Sequence, residues 1–135
     1  MSILRSRFHE AYGFPYDYDS VMLRQAEFDS ITAAIRTRIT DGFFAKMAEK
    51  DCCDADPDEI RAWLSSLPFN GLVNVIWIGE GEGVVIDYDC FVKFYDDLWF
   101  PSSDEVWLST LDMKLVLQID HEEQFELFSE GCPAE

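Results

Sequence analysis

Hydrophobic residues recur at steps of three and four from Asp19 or Ser20 to Thr40, and this spacing predicts a first helix. Its apolar face is made by Val21, Phe28, Ile31, Ile35 and Ile39. Arg36 and Arg38 fall in its last turns, where cations suit the negative end of the helix dipole. After the break at Asp41 and Gly42, residues 43–50 are expected to form a short helical turn.

A second helix is predicted to begin at Asp56. Asp56 is suited to be the N-cap, Pro57 to be the first helical residue and Glu59 to complete a capping box. The apolar face of this helix is expected to hold Ile60, Trp63, Leu64 and Leu67. Pro68 then ends the element.

The centre of the chain is predicted to form a β-hairpin. Residues 72–78 are almost continuously apolar, which is typical of a strand that is buried on both faces. Residues 79–83 alternate glycine and glutamate and are expected to form the turn. The β-branched residues 84–86 predict the returning strand.

The stretch from Gly83 to Leu111 holds two of the four tryptophans and six carboxylates. A helix with an apolar stripe is expected from Tyr88 onward, capped by Asp87 or Asp89. Pro101 ends it, and residues 106–108 resume a strand. These aromatic residues can form the core, or Trp99, Phe100 and Trp107 can form an exposed patch rimmed by acidic residues. The rim would consist of Asp96, Asp97, Asp104 and Glu105.

A second hairpin is predicted near the C-terminus, with strands at 114–120 and 124–128. The fold class that follows is α+β, with N-terminal helices packed on a four- to five-stranded, mainly antiparallel sheet and one inserted short helix. Residues 1–135 are expected to form one globular domain, with 1–19 as an N-terminal arm and 129–135 as a frayed tail.

Composition narrows the class of protein. Apolar residues make up 48% of the chain and aromatic residues 15%, which argues against disorder. Residues 1–14 show no continuous apolar segment of the kind found in signal peptides, and a cytoplasmic location is the expectation. The four cysteines have no C-x-x-C spacing, so they are expected to be reduced thiols.

The net charge of −17 is unevenly distributed. Residues 1–50 carry seven basic and seven acidic side chains, whereas residues 51–135 carry three basic and twenty acidic ones. Such a field repels nucleic acid and anionic membranes and attracts basic proteins. A basic protein partner is therefore expected, with no nucleic acid and no membrane, for a chain that is a monomer or weak dimer. The alternative is that the acidic surface only aids solubility.

Three motifs suggest specific chemistry, but each lacks residues that this chemistry requires. Residues 54–59 resemble the start of a calcium loop, but the EF-hand pattern requires glycine and glutamate where Glu59 and Ser65 stand, which leaves weak calcium binding as the alternative. The glycines of 79–83 lack the lysine of a phosphate loop. His9 and His121 each stand without a second histidine or a nucleophile. No catalytic residue, metal ligand or cofactor is expected.

Residues 84–107, V-V-I-D-Y-D-C-F-V-K-F-Y-D-D-L-W-F-P-S-S-D-E-V-W, together with the acidic hairpin that follows, resemble small acidic bacterial immunity proteins of the contact-dependent-inhibition and polymorphic-toxin type. The resemblance implies a cognate toxin, often a nuclease, whose active site or nucleic-acid surface is blocked. The hypothesis is a cytosolic inhibitor that is not an enzyme and binds a basic toxin through acidic and aromatic residues. The expected partner-binding residues are Glu80, Glu82, Asp96, Asp97, Trp99, Phe100, Asp104, Glu105 and Trp107.

Two other functions stay open. An enzyme of metal-assisted hydrolysis would use Asp96 and Asp97 with Asp87 or Asp89, although helical spacing turns Asp96 and Asp97 about 100° apart. An acidic nucleic-acid mimic would instead bind many basic proteins with a steep salt dependence.

Overall fold

The computed structural model describes residues 13–40, 42, 44–52, 55–98, 105–120 and 122–130, without the side chains of 96–98 and 130. In these ranges the chain forms helices and strands in the following order: α1 (Tyr18–Val21), α2 (Gln25–Thr40), β1 (Phe44–Asp51), α3 (Pro57–Ser65), β2 (Leu72–Trp77), β3 (Glu82–Asp87), α4 (Tyr88–Leu98), β4 (Val106–Thr110), β5 (Leu115–Ile119) and β6 (Gln124–Glu130). None of these helices is long and apolar enough to cross a membrane.

The six strands form one sheet in the order β1-β6-β5-β4-β2-β3, and every neighbouring pair is antiparallel. The α+β class is therefore confirmed, with one strand more than the predicted four or five. Both predicted hairpins are present, as β2–β3 and β5–β6. β6 extends to Glu130, so its last residues lie in a segment that was expected to be frayed.

The additional strand is β1, where the sequence predicted a helical turn. This prediction is wrong, because residues 44–51 pair with β6 along the whole length of that strand, from Phe44 opposite Glu130 to Asp51 opposite Gln124. An irregularity between Lys46 and Ala48 interrupts the register. Ala, Lys, Met and Glu favour helix locally, but backbone pairing with a neighbouring strand outweighs such preferences.

The core has two sides, because alternate side chains of the sheet point to opposite faces. Val73, Val75 and Trp77 of β2 face the cluster that includes α3 and α4, while Ile76 faces the cluster that includes α2. Burial of both faces explains why β2 reads as a continuous apolar run.

The predicted first helix is two helices, since the chain leaves helical geometry between Val21 and Gln25. The backbone N–H of Leu23 donates to the carbonyl of Gly83 at 2.8 Å, and Met22 bridges Val84. This segment therefore runs along the outer edge of β3 before α2 begins.

The predicted cap by Asp56 and the predicted first residue Pro57 are confirmed for α3. The Asp56 side chain accepts hydrogen bonds from the backbone N–H groups of Asp58 and Glu59, and Pro57 opens the helix. The Glu59 carboxylate accepts from Lys50 at 2.8 Å. For α4, Asp87 is the residue that caps, since its carboxylate accepts from the N–H of Asp89 at 2.9 Å.

Contacts of α4 fix both α3 and the N-terminal arm. The Tyr88 hydroxyl donates to the carbonyl of Leu64 at 2.7 Å, and burial raises the pKa of Tyr88. Phe14 packs edge-on against Phe94 with ring centroids 5.1 Å apart. The Tyr16 hydroxyl accepts from the N–H of Asp87. The described part of the predicted arm is therefore packed on the domain.

Candidate functional site

One end of the sheet carries carboxylates on or beside the terminus of every strand. We call this surface the acidic end. It comprises Asp51, Glu80, Glu82, Glu105, Asp120, Glu122 and Glu123. β1, β5 and β2 finish at this end, and β6, β4 and β3 begin there.

The pairing register places these termini in one row. Asp51 lies opposite Gln124, and the next residue of β6, Phe125, lies opposite Ile119. Ile119 is opposite Val106, Val106 opposite Trp77, and Trp77 opposite Glu82. Since neighbouring strands lie about 4.8 Å apart, the row spans roughly 24 Å across its six strands.

Backbone hydrogen bonds tie the loops of the acidic end to one another. The N–H of Ile78 donates to the carbonyl of Glu105 at 3.0 Å, and the N–H of Cys52 donates to the carbonyl of Glu123 at 2.8 Å. These bonds join the β2–β3 turn to the start of β4 and the end of β1 to the β5–β6 turn.

The two turns hold their acidic residues through local backbone geometry. Gly81 has a φ of 68°, a conformation that glycine adopts without steric cost, and it lets the chain turn between Glu80 and the start of β3 at Glu82. In the other turn, the Asp120 carboxylate accepts from the N–H groups of Glu122 and Gln124 at 2.9 and 3.0 Å. Asp120 therefore stabilises its own turn as an Asx motif.

The cations for which ion pairs are described are paired with carboxylates outside the acidic end. Lys46 contacts the carboxylates of Glu49 and Glu126, and Lys50 that of Glu59. Arg61 contacts Asp58. Within the described ranges no ion pair is found for five members of the acidic end: Glu80, Glu105, Asp120, Glu122 and Glu123. The Glu82 carboxylate accepts from the Tyr18 hydroxyl.

Three of the predicted partner-binding residues meet at this surface. Glu80 is exposed, and Glu82 and Glu105 are half-buried. Asp96 and Asp97 lie in the last turn of α4, without a description of their side chains. Trp99, Phe100 and Asp104 lie outside the described residues, as do His9, His121 and Asp54.

Trp107 does not belong to an exposed patch. Its side chain is 5% exposed and lies in the core cluster beneath α2, together with Phe28 and Ile35. The guanidinium carbon of Arg36 is 5.4 Å from the centroid of its ring. Alternate side chains of β4 point to opposite faces of the sheet, and the side chain at the odd-numbered position 107 points towards α2. The core interpretation therefore applies to Trp107, which we remove from the candidate surface.

The second half of α4 and Glu105 flank the part of the aromatic stretch that lies outside the described residues. The Tyr95 hydroxyl donates to the carbonyl of Pro57 at 3.4 Å, so the second half of α4 lies beside the start of α3. The next described residue after Leu98 is Glu105, a member of the acidic end. Among the described residues of the aromatic stretch, Glu105 therefore belongs to this surface.

Sequence reasoning missed Asp51, Asp120, Glu122 and Glu123 as members of the site. The signal was present in part, since the three that follow β5 come directly after an alternating strand. Their grouping with Glu80 and Glu105 depends on strand order, which a local pattern does not contain.

The described residues offer little reactive chemistry. Burial raises the pKa of the thiols of Cys52 and Cys90 to about 11, so both are protonated at neutral pH and are poor nucleophiles. Asp56, from the predicted calcium segment, is engaged as a helix cap. Over the described ranges, no group of three or more His, Cys, Asp or Glu is placed to hold a metal ion.

The site is interpreted from its own geometry and charge. Comparison of the chain with protein-family models, with curated proteins and with solved structures gives no match.

Proposed function

We propose that this protein is a cytoplasmic inhibitor that binds a basic protein through the acidic end of its sheet. The observation that carries the proposal is the row of carboxylates contributed by all six strands and their turns. In keeping with the resemblance of residues 84–107, the partner is a basic toxin and the protein acts as its immunity protein.

The layout of charge supports binding over solubility alone. An acidic surface that only aids solubility needs no particular arrangement, whereas here acidic residues share one end and the described lysines of β1 pair with carboxylates elsewhere. A single-sign surface of this kind accelerates encounter with an oppositely charged protein. Charge complementarity also disfavours partners of the wrong sign.

The way in which the carboxylates are held supports recognition over catalysis. Two backbone hydrogen bonds and an Asx turn hold the loops, so the carboxylates are presented without a large loss of backbone entropy on binding. Of the carboxylates invoked for the enzyme alternative, that of Asp87 is engaged as the cap of α4 and that of Asp89 is exposed.

The test is capture of the partner by the tagged protein after co-expression with the products of its neighbouring reading frames. Washes at about 0.15 M and about 0.5 M salt shorten the Debye length from roughly 8 Å to roughly 4 Å. A dedicated inhibitor retains one stoichiometric basic protein through both washes. Many basic proteins that are lost at high salt would identify a nucleic-acid mimic, and no captured protein would contradict the proposal.

A further inference from the structure

A pocket of about 430 Å³ opens between the first half of α2 and the sheet. It lies on the face of the sheet opposite α3 and α4, separate from the acidic end. Ala26 and Ser30 line it on the helix, Asn74 and Val85 line it on the sheet, and Leu111 lines it from the β4–β5 turn. Its volume falls in the range of small-molecule sites.

The pocket exists because side chains on this part of α2 are small. Ala26 and Ser30 are one helical turn apart, so both lie on the same face of the helix. The core cluster beneath α2 is filled by larger residues, including Phe28 and Ile35, packed with Trp107. The space beside Ala26 and Ser30 is left open, with Leu111 54% exposed at its border.

The most buried polar side chain that lines the pocket is that of Asn74, which is only 4% exposed, whereas Glu27 and Ser30 line it from exposed positions. Its Nδ2 donates to the Ser109 hydroxyl at 3.0 Å, and that hydroxyl contacts the sulfur of Met113 at 3.4 Å. An asparagine amide has a second N–H and an acceptor oxygen. The bond to Ser109 is the one side-chain hydrogen bond described for Asn74, and it leaves the second N–H and the oxygen available.

Among the described residues, only the Nε1 of Trp107 is a fully buried side-chain N or O atom without a hydrogen-bond partner. The Asn74 oxygen is therefore not sealed from solvent, and it is available to a ligand in the pocket. In this chain the unused donor and acceptor belong to one planar group that lines an otherwise mainly apolar pocket. Its complement is a ligand that presents an acceptor beside a donor, attached to an apolar body. Glu27 at the pocket and the net charge of −17 disfavour an anionic ligand.

We propose that this pocket binds a small, uncharged, planar molecule that carries a carboxamide or lactam group. The group pairs with the amide of Asn74, and the apolar body packs against Val85 and Leu111. This binding is independent of the inhibitor function, since the pocket contains no member of the acidic end.

The probe is benzamide, added to the ¹⁵N-labelled full chain and followed by amide NMR spectra. For a ligand of this size we expect the binding site to be saturated at a benzamide concentration of about 10 mM. The expected shifts centre on the Asn74 side-chain amide and on the backbone of Ala26, Ser30 and Leu111. Benzoate, which has the same shape but a negative charge, and toluene, which lacks the amide, should each bind at least tenfold more weakly.

A pair of variants tests the location. Ala26→Phe fills the pocket from the helix and should lower benzamide affinity at least tenfold, whereas Ala33→Phe, at an exposed position of the same helix, should leave it unchanged. Circular dichroism verifies that both variants are folded. Equal shifts from benzamide, benzoate and toluene, shifts centred away from Asn74, or unchanged binding by Ala26→Phe would each overturn the proposal.

Discussion

The backbone N–H of Ile78 donates a hydrogen bond to the carbonyl of Glu105 at 3.0 Å. The two residues are distant in sequence, and the bond fixes the β2–β3 turn against the start of β4. Glu80 and Glu105 therefore belong to one surface. This contact is the structural basis for treating the carboxylates as a single acidic end instead of separate charged turns.

The cap of α3 should contribute measurably to stability. Asp56→Ala removes the side chain that accepts from the N–H groups of Asp58 and Glu59, and the expected loss of unfolding free energy is about 1 kcal/mol. Asp58→Ala is the matched control, since its carboxylate is 97% exposed and its ion pair with Arg61 is long. Urea denaturation of both variants measures the difference. Equal losses would contradict a capping role for Asp56.

The packing of α2 on the sheet depends on Ile35, which is fully buried. Ile35→Ala should lower the free energy of unfolding by about 2–5 kcal/mol, because it leaves a cavity against the sheet. Thr37→Ala, at an exposed position of the same helix, should change it by less than about 0.5 kcal/mol. A small effect of Ile35→Ala would mean that α2 is only loosely attached.

Trp107 should act as a core residue and not as a binding anchor. Trp107→Ala should cost about 3–5 kcal/mol of stability through loss of packing. Trp107→Phe keeps most of the packing and removes the indole N–H, which is buried and has no hydrogen-bond partner among the described residues. Its expected cost is therefore below about 1.5 kcal/mol. Partner capture by Trp107→Phe should equal that of the unchanged protein, and a loss of capture would return Trp107 to the site.

The pH dependence of stability should reflect the Cys52 thiol, which is 1% exposed. Burial raises its pKa to about 11 from an ordinary value of 9.0. Between these values the unfolded chain loses the proton while the folded protein keeps it, so this contribution to stability is complete below pH 9 and declines towards pH 11. Cys52→Ala should flatten the decline of unfolding free energy over this interval. An unchanged slope would show that the folded thiol has an ordinary pKa.

Local signals in the sequence were sufficient for most elements. Asp56 and Pro57 mark the start of α3 because capping and proline geometry act within a few residues, whereas the helix ends at Ser65, before the predicted stop at Pro68. The strand at Phe44–Asp51 could not be predicted in this way, since its residues favour helix and its strand form comes from pairing with β6, about 80 residues away.

The candidate site was predictable only in part. Glu80 and Glu82 were recognised because glycines mark the turn between two apolar runs. Asp120 and Glu122 were not recognised, because they reach the same surface only through the order of strands in the sheet. Trp107 was misplaced, since period-2 alternation assigns a side chain to a face but does not show that α2 covers that face.

The measurement that tests the central claim most directly compares the rates at which two variants of equal charge change associate with the captured partner. Glu80→Gln with Glu105→Gln removes two carboxylates from the acidic end, and Asp29→Asn with Asp89→Asn removes two exposed carboxylates from helices α2 and α4. If the acidic end binds the partner, the first variant should associate at least about tenfold more slowly at low salt, and the second should match the unchanged protein. Equal association rates for the two variants would contradict the account.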